Sequence, residues 1–193
     1  MTLPNWITIS RIIGIPILLF LLYSTQKSIF VAAYFFGWIL ALTDFLDGYL
    51  SRKLGQISNL GKILDPIADK LFVLLFCLYF VDIKMLPAWV VLVLIIRELV
   101  ISDFRLLALG QGKEVAVSRV GKWKATFQFG LLAFLGLMRI LFFEQPNGFL
   151  VATWPLGYQL AFWFIVALAI SFTLISLFEY FWTHRNLLKE KPV

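Results

Sequence analysis

Four carboxylates at helical spacing carry the chemistry that this sequence can do: Asp44 and Asp47 stand three residues apart, Asp65 and Asp69 four apart. Residues at i, i+3 and i, i+4 are neighbours on a helix surface, so each pair shares one face of its own helix. At an effective dielectric of about 20, two carboxylates about 4 Å apart repel by roughly 4 kcal/mol. Divalent cations turn that repulsion into binding energy, and Mg²⁺ takes such oxygen ligands together with the oxygens of a substrate phosphate. The neighbouring residues suit a phosphate-bearing ligand. Gly48 and Gly61 remove side chains where backbone must approach a ligand or another helix, and Arg52 offers a forked donor. Pro66, between the third and fourth aspartates, denies a hydrogen bond to the carbonyl of Lys62 and opens room there.

The elements that must position these residues are strongly apolar. The 193-residue chain is 61% hydrophobic, 17% aromatic and only 15% charged, against roughly 25% charged residues in a soluble domain. Mean hydropathy is +0.90. Apolar stretches of about 20 residues predict six membrane spans, near 6–24, 29–51, 61–81, 86–108, 121–143 and 157–182. The expected fold is an all-α integral membrane bundle of six transmembrane helices, a single domain over residues 1–193. No repeat, low-complexity tract or heptad divides it. Carboxylates at the ends of such spans mark a functional site by default.

Charge sets the orientation. Of the 17 basic residues, all but Lys27, Lys84 and Arg139 fall on one side, which the positive-inside rule makes cytosolic. Both termini, and the ends of spans two and three that carry the aspartates, are then expected to face the cytosol from the cytoplasmic (inner) membrane. Positive-inside topology accounts for much of the net charge of +6, so no nucleic-acid partner is required. The first span is expected to be retained, because no small-residue cleavage site follows it. Pro16 is expected to kink it. Cys77 is the only cysteine and excludes an intrachain disulfide. His184 reads as an interfacial residue, and most tryptophans as an interfacial belt.

In order, the polar stretch reads Asp44, two residues, Asp47-Gly48, two residues, Ser51-Arg52, eight residues, Gly61, three residues, Asp65, three residues, Asp69. This resembles the signature of the CDP-alcohol phosphatidyltransferases, D-x2-D-G-x2-A-R-x8-G-x3-D-x3-D, and departs from it only where Ser51 replaces alanine. Asn5, Thr8, Arg11 and Pro16 resemble the N-terminal pattern of the phosphatidylglycerophosphate synthase branch. Arg97-Glu98 through Arg105, and Gly121, Lys122, Lys124, Thr126 and Gln128, resemble that branch further on. The resemblance implies that Asp44, Asp47 and Asp65 hold two divalent cations, Mg²⁺ or Mn²⁺, and that Asp69 both approaches a metal and acts as general base. It implies a CDP site at Asn5, Thr8, Gly48, Ser51, Arg52 and Gly61, and a homodimer. The implied reaction transfers the phosphatidyl group of CDP-diacylglycerol to sn-glycerol 3-phosphate within the lipid bilayer.

An acceptor phosphate needs further cations, and Arg97, Arg105, Arg119, Lys122 and Lys124 are the candidates. Helical spacing puts Glu98, Ser102 and Arg105 on one stripe and Arg119, Lys122 and Thr126 on another. Lys124 points away from the second stripe and is expected to meet the lipid headgroup region, which gives Arg119 and Lys122 more weight. For all of them, snorkelling and positive-inside bias are the competing account, weakest for Arg97. Two other functions fit parts of the pattern. Inositol phosphate, serine or phosphatidylglycerol could be the acceptor, because the aspartate motif reads only the CDP half. A cation transporter could use buried aspartates as an ion site, but all four lie at one membrane face and no inverted repeat is present.

Overall fold

Turn-forming residues cut the apolar sequence into helices. In the computed structural model, which describes residues 3–54, 59–110, 119–144 and 151–184, the order is α1 (Leu3–Leu22), α2 (Lys27–Leu54), α3 (Asn59–Asp82), α4 (Ala88–Gly110), α5 (Arg119–Leu141), a 3-10 turn (Val151–Thr153) and α6 (Leu156–His184). No strand occurs among the described residues. The six helices match the six expected spans. The bounds shift by about one to three residues; among the extensions, α2 runs on through Ser51 and Arg52 to Leu54, and α4 continues to Gly110. Neither extension contains an internal helix breaker, since the first glycine after Arg52 is Gly55 and Gly110 itself ends α4.

The connections satisfy the helix ends locally. After α1, the amides of Tyr23 and Ser24 donate to the carbonyls of Phe20 and Leu21 at 3.3 and 3.1 Å, and Ser24 Oγ accepts from the amide of Gln26 at 3.2 Å. Between α3 and α4, Lys84 takes φ of 60°, a left-handed conformation that turns the chain sharply before Pro87 opens α4. Gln159 clamps the start of α6, donating from Nε2 to the carbonyls of Ala152 and Trp154 at 3.1 and 2.6 Å.

The chain forms two compact units, one of Met1–Asp82 with Gly136–Pro146, the other of Ile83–Leu135 with Asn147–Val193. In the first, α1 packs on both α2 and α3 around Leu18, Leu22, Phe30, Tyr34, Phe76 and Phe80. Backbones approach closely where glycine removes the side chain: a Cβ on Gly37 would come 2.8 Å from the ring of Phe76, and one on Gly136 would collide with the ring of Tyr34. Rings fill the remainder, with Phe30 against Tyr79 and Phe143 at 6.0 and 5.5 Å between centroids. Arg139 lies 4.5 Å over the ring of Phe143 and donates to that residue's carbonyl at 3.0 Å. Tyr23 donates to the Asp82 carboxylate at 2.8 Å.

In the second unit α4 packs on α6. Phe104 sits edge-on to Tyr180 and Phe181, with centroids 5.9 and 4.9 Å away. Trp154 does not join an exposed tryptophan belt. It is buried against Phe134 and Phe162, whereas Trp89, Trp123, Trp163 and Trp182 are exposed.

Both units expose large apolar side chains, and the second buries polar ones within its apolar core. Phe20 and Phe178 are 80% and 68% exposed while Arg97, Lys124, Gln128, Thr173 and Ser176 are buried. Apolar side chains outside and polar ones inside are what a hydrocarbon solvent favours. Val120–Leu141 and Leu156–Thr183 are long and apolar enough to cross a membrane, and Ile12–Leu22 and Lys27–Leu42 are shorter apolar segments.

Overpacking a close helix contact costs about 1–3 kcal/mol, so Gly136→Val is expected to lower the thermal unfolding midpoint in detergent. Gly130 has open space around it, and Gly130→Ala should leave the midpoint level or raise it. Equal midpoints for the two variants would show that the Gly136 contact with Tyr34 contributes nothing.

Candidate functional site

The aspartate motif divides between two helices of the first unit. Asp44 and Asp47 lie in the C-terminal half of α2 with Gly48, Ser51 and Arg52; Asp65 and Asp69 lie in the N-terminal half of α3 with Gly61. Both helices pack on α1, which carries Asn5, Thr8 and Arg11. Common packing on α1 explains how one unit can hold both halves of the motif. α3 is continuous through Pro66, and α1 through Pro16. The side chains of Asn5, Thr8, Arg11, Asp44, Asp47, Ser51, Arg52, Asp65, Asp69, Arg119 and His184 lie outside the described residues. Among the described residues no other group of three histidines, cysteines or acids could hold a metal.

The second unit gathers charged groups in its interior. Arg97 is 8% exposed, and its Nη2 donates to Ser176 Oγ at 2.6 Å, joining α4 to α6. Its Nη1 stands 3.5 Å from Glu98 Oε1. The same carboxylate accepts from Nζ of Lys124, joining α4 to α5. Lys124 is 2% exposed, which corrects its expected place among lipid headgroups. A carboxylate on the adjoining α4 allows the ammonium to stay inside, because a buried charge needs a hydrogen-bonded partner. Gln128, one turn further along α5, is also buried.

The proposed stripes resolve in two ways. Ser102 turns its hydroxyl back to the carbonyl of Glu98 at 2.7 Å, and Thr126 does the same to Lys122 at 3.2 Å; such bonds keep the hydroxyls within their own helices. Lys122 is exposed, and Arg105 is half-buried beside Tyr180. The Nε atoms of Arg97 and Arg105 are buried with no hydrogen-bond partner, as is that of Arg139 in the first unit. Buried arginine donors left open are the groups an anion would take. The sequence candidates omit Ser176, and with it Thr173 and Tyr180. All three are buried, and their spacing of i, i+3, i+7 on one face of a largely apolar α6 was the signal available.

The sequence profile of the CDP-alcohol phosphatidyltransferases matches residues 1–159. A Bacillus subtilis protein named CDP-diacylglycerol--glycerol-3-phosphate 3-phosphatidyltransferase is 36% identical over 192 residues, covering 93% of each chain. A Haemophilus influenzae protein of the same name is 37% identical over 142 residues, which is 70% of this chain and 75% of its own. An Arabidopsis thaliana protein, the second of that name, is 36% identical over 170 residues, covering 76% of this chain and 70% of its own. With the aspartate motif held on two helices of one unit and the profile spanning both, this chain belongs to the CDP-alcohol phosphatidyltransferase family.

Proposed function

We propose that this chain transfers the phosphatidyl group of CDP-diacylglycerol to the 1-hydroxyl of sn-glycerol 3-phosphate, giving phosphatidylglycerophosphate and CMP. The observation that carries this reading is the relation to the Bacillus subtilis protein along 93% of both chains. Asp69 takes the proton of the acceptor hydroxyl. The freed oxygen forms a bond to the β-phosphorus of the CDP-lipid, and the bond from that phosphorus to the oxygen bridging to CMP breaks, so CMP departs with the bridging oxygen. Asn5, Thr8, Gly48, Ser51, Arg52 and Gly61 hold the CDP moiety. Arg97, Arg105, Arg119, Lys122 and Lys124 supply the positive charge for the acceptor phosphate, Lys124 being held in the resting chain by Glu98.

Catalysis in this family generally depends on divalent metal. The donor set fits: Asp44, Asp47, Asp65 and Asp69 offer the hard oxygen ligands that Mg²⁺ or Mn²⁺ prefers, and these residues would hold two cations. When bound, such ions neutralise charge on a diphosphate and on its leaving group. In phosphoryl transfer the protein contributes chiefly by positioning and electrostatics.

The large apolar side chains exposed on both units support a bilayer setting. We place all six helices across the cytoplasmic (inner) membrane as one catalytic domain over residues 1–193, with both termini and the active site facing the cytosol and lipid tails entering from the side. A homodimer is the proposed assembly.

The purified chain in mixed micelles is expected to release CMP from CDP-diacylglycerol when given sn-glycerol 3-phosphate, and to do so faster than with serine, inositol phosphate or free glycerol. Release should stop in excess chelator and return with Mg²⁺ or Mn²⁺. Full turnover in chelator would remove the metals from the reading, and faster release with serine or inositol phosphate would change the acceptor while leaving the family intact.

General-base catalysis contributes about 10² to 10⁴ in rate. Asp69→Asn is therefore expected to lose at least that much turnover while binding CDP-diacylglycerol better than Asp44→Asn does, as read by single-turnover kinetics and lipid binding. Turnover at the unsubstituted rate would exclude Asp69 as the base.

A further inference from the structure

α6 lies almost wholly beyond the residues matched by the family profile, which end at 159, yet it supplies the partner of a buried arginine. Its polar residues Thr173, Ser176 and Tyr180 are buried in a helix whose other faces expose Phe164, Leu174, Ile175 and Phe178. The Thr173 hydroxyl is used within α6, donating to the carbonyl of Ala169 at 2.6 Å. Ser176 reaches instead across to α4, where its Oγ accepts from Arg97 Nη2 at 2.6 Å. The guanidinium is fixed from the other side by Glu98, 3.5 Å from Nη1. Two of its three nitrogens thus have neighbours in the protein, and the third, Nε, is a buried donor with no hydrogen-bond partner.

A planar guanidinium hydrogen-bonded through Nη2 and paired with a carboxylate beside Nη1 is restricted in orientation, with one donor left over. An open buried donor costs the desolvation of that group; Arg105 on the same helix leaves its Nε open too, as does Arg139 in the first unit, but among the described residues Arg97 is the one whose guanidinium is tied to both a hydroxyl and a carboxylate of its own unit. An anion with several acceptor oxygens would supply what is missing, and charge-assisted bonds from arginine to phosphate are the strong form of that contact. We infer that Ser176 is a positioning residue for acceptor binding: with Glu98 it locks Arg97 so that Nε meets an oxygen of the acceptor's phosphate monoester. This rests on the reading of Arg97 as an acceptor-phosphate residue, and it makes the last helix part of the specificity apparatus.

The test is steady-state kinetics of the purified full chain in mixed micelles, with the Michaelis constants for sn-glycerol 3-phosphate and CDP-diacylglycerol measured separately. Ser176→Ala is expected to raise the constant for sn-glycerol 3-phosphate about tenfold, the scale of one hydrogen bond to a charged group, and to leave that for CDP-diacylglycerol unchanged. Ser176→Thr, which keeps the hydroxyl, should restore most of the loss. In an Arg97→Gln background, adding Ser176→Ala should have no further effect, because a residue acting through Arg97 has nothing left to position. If Arg97→Gln raises the acceptor constant and Ser176→Ala does not, the inference about Ser176 fails while the acceptor reading stands. Additive effects in the double variant, or equal rises in both constants, would show Ser176 acting on the fold and overturn the inference. An unchanged acceptor constant in Arg97→Gln would remove both.

Discussion

A charge surrounded by hydrocarbon must be paired or hydrogen-bonded, and much of the interior of this protein answers to that constraint. The second unit shows it most directly. Lys124 is more deeply buried than any other charged side chain described, and it stays inside because Glu98 reaches it from the neighbouring helix. Glu98 in turn lies beside Arg97, whose other end is held by Ser176. One carboxylate and one hydroxyl therefore tie α4 to both α5 and α6, where apolar contacts alone would leave helix rotation weakly specified. The first unit solves the same problem with different chemistry. Arg139 rests on the faces of Phe143 and Phe30 and donates to a carbonyl just past the end of its own helix, an arrangement suited to a cation at the edge of an apolar core.

Without a hydrophobic driving force between helices in lipid, close contact must come from shape. Gly37 and Gly136 supply it by admitting the rings of Phe76 and Tyr34 against bare backbone. These contacts fall in the unit that carries the aspartates, where α2 and α3 share α1 as a common support. Helices that bear like charges need rigid neighbours, because repulsion between carboxylates acts to separate them. Aromatic packing that leaves little room for a methyl group is a means of resisting that separation.

What the sequence made legible follows from the range of the interactions involved. Six helices were readable because apolar run length and turn residues are local signals, and the aspartate motif because its spacing is itself the pattern. The ends of α2 and α4 were less so: polar and basic residues around Arg52 resemble a loop, but nothing there prevents helical hydrogen bonding before Gly55. Lys124 was misplaced for a different reason. Its register on α5 was readable, while the carboxylate that draws it inward lies 26 positions earlier on another helix. Ser176 is 79 positions from its arginine, and a serine in a largely apolar helix gives no sign of its partner until the helices are packed.

The Glu98 and Lys124 pair also bears on why such groups are present. Buried ion pairs seldom stabilise more than well-packed apolar side chains of the same volume would, because desolvation offsets most of the attraction. This pair is unevenly exposed as well, with the glutamate side chain at 34% and the lysine at 2%. As a stability device it is a poor choice for a helix interface that leucine or phenylalanine could fill. As an electrostatic frame it makes sense: Arg97 and Lys124 bring two positive charges, Glu98 returns one negative charge, and the cluster retains a net positive charge in surroundings of low polarity. Under the acceptor-site reading proposed above, such a cluster would favour a dianion more than a single exposed lysine would, since the field of a buried charge is weakly screened.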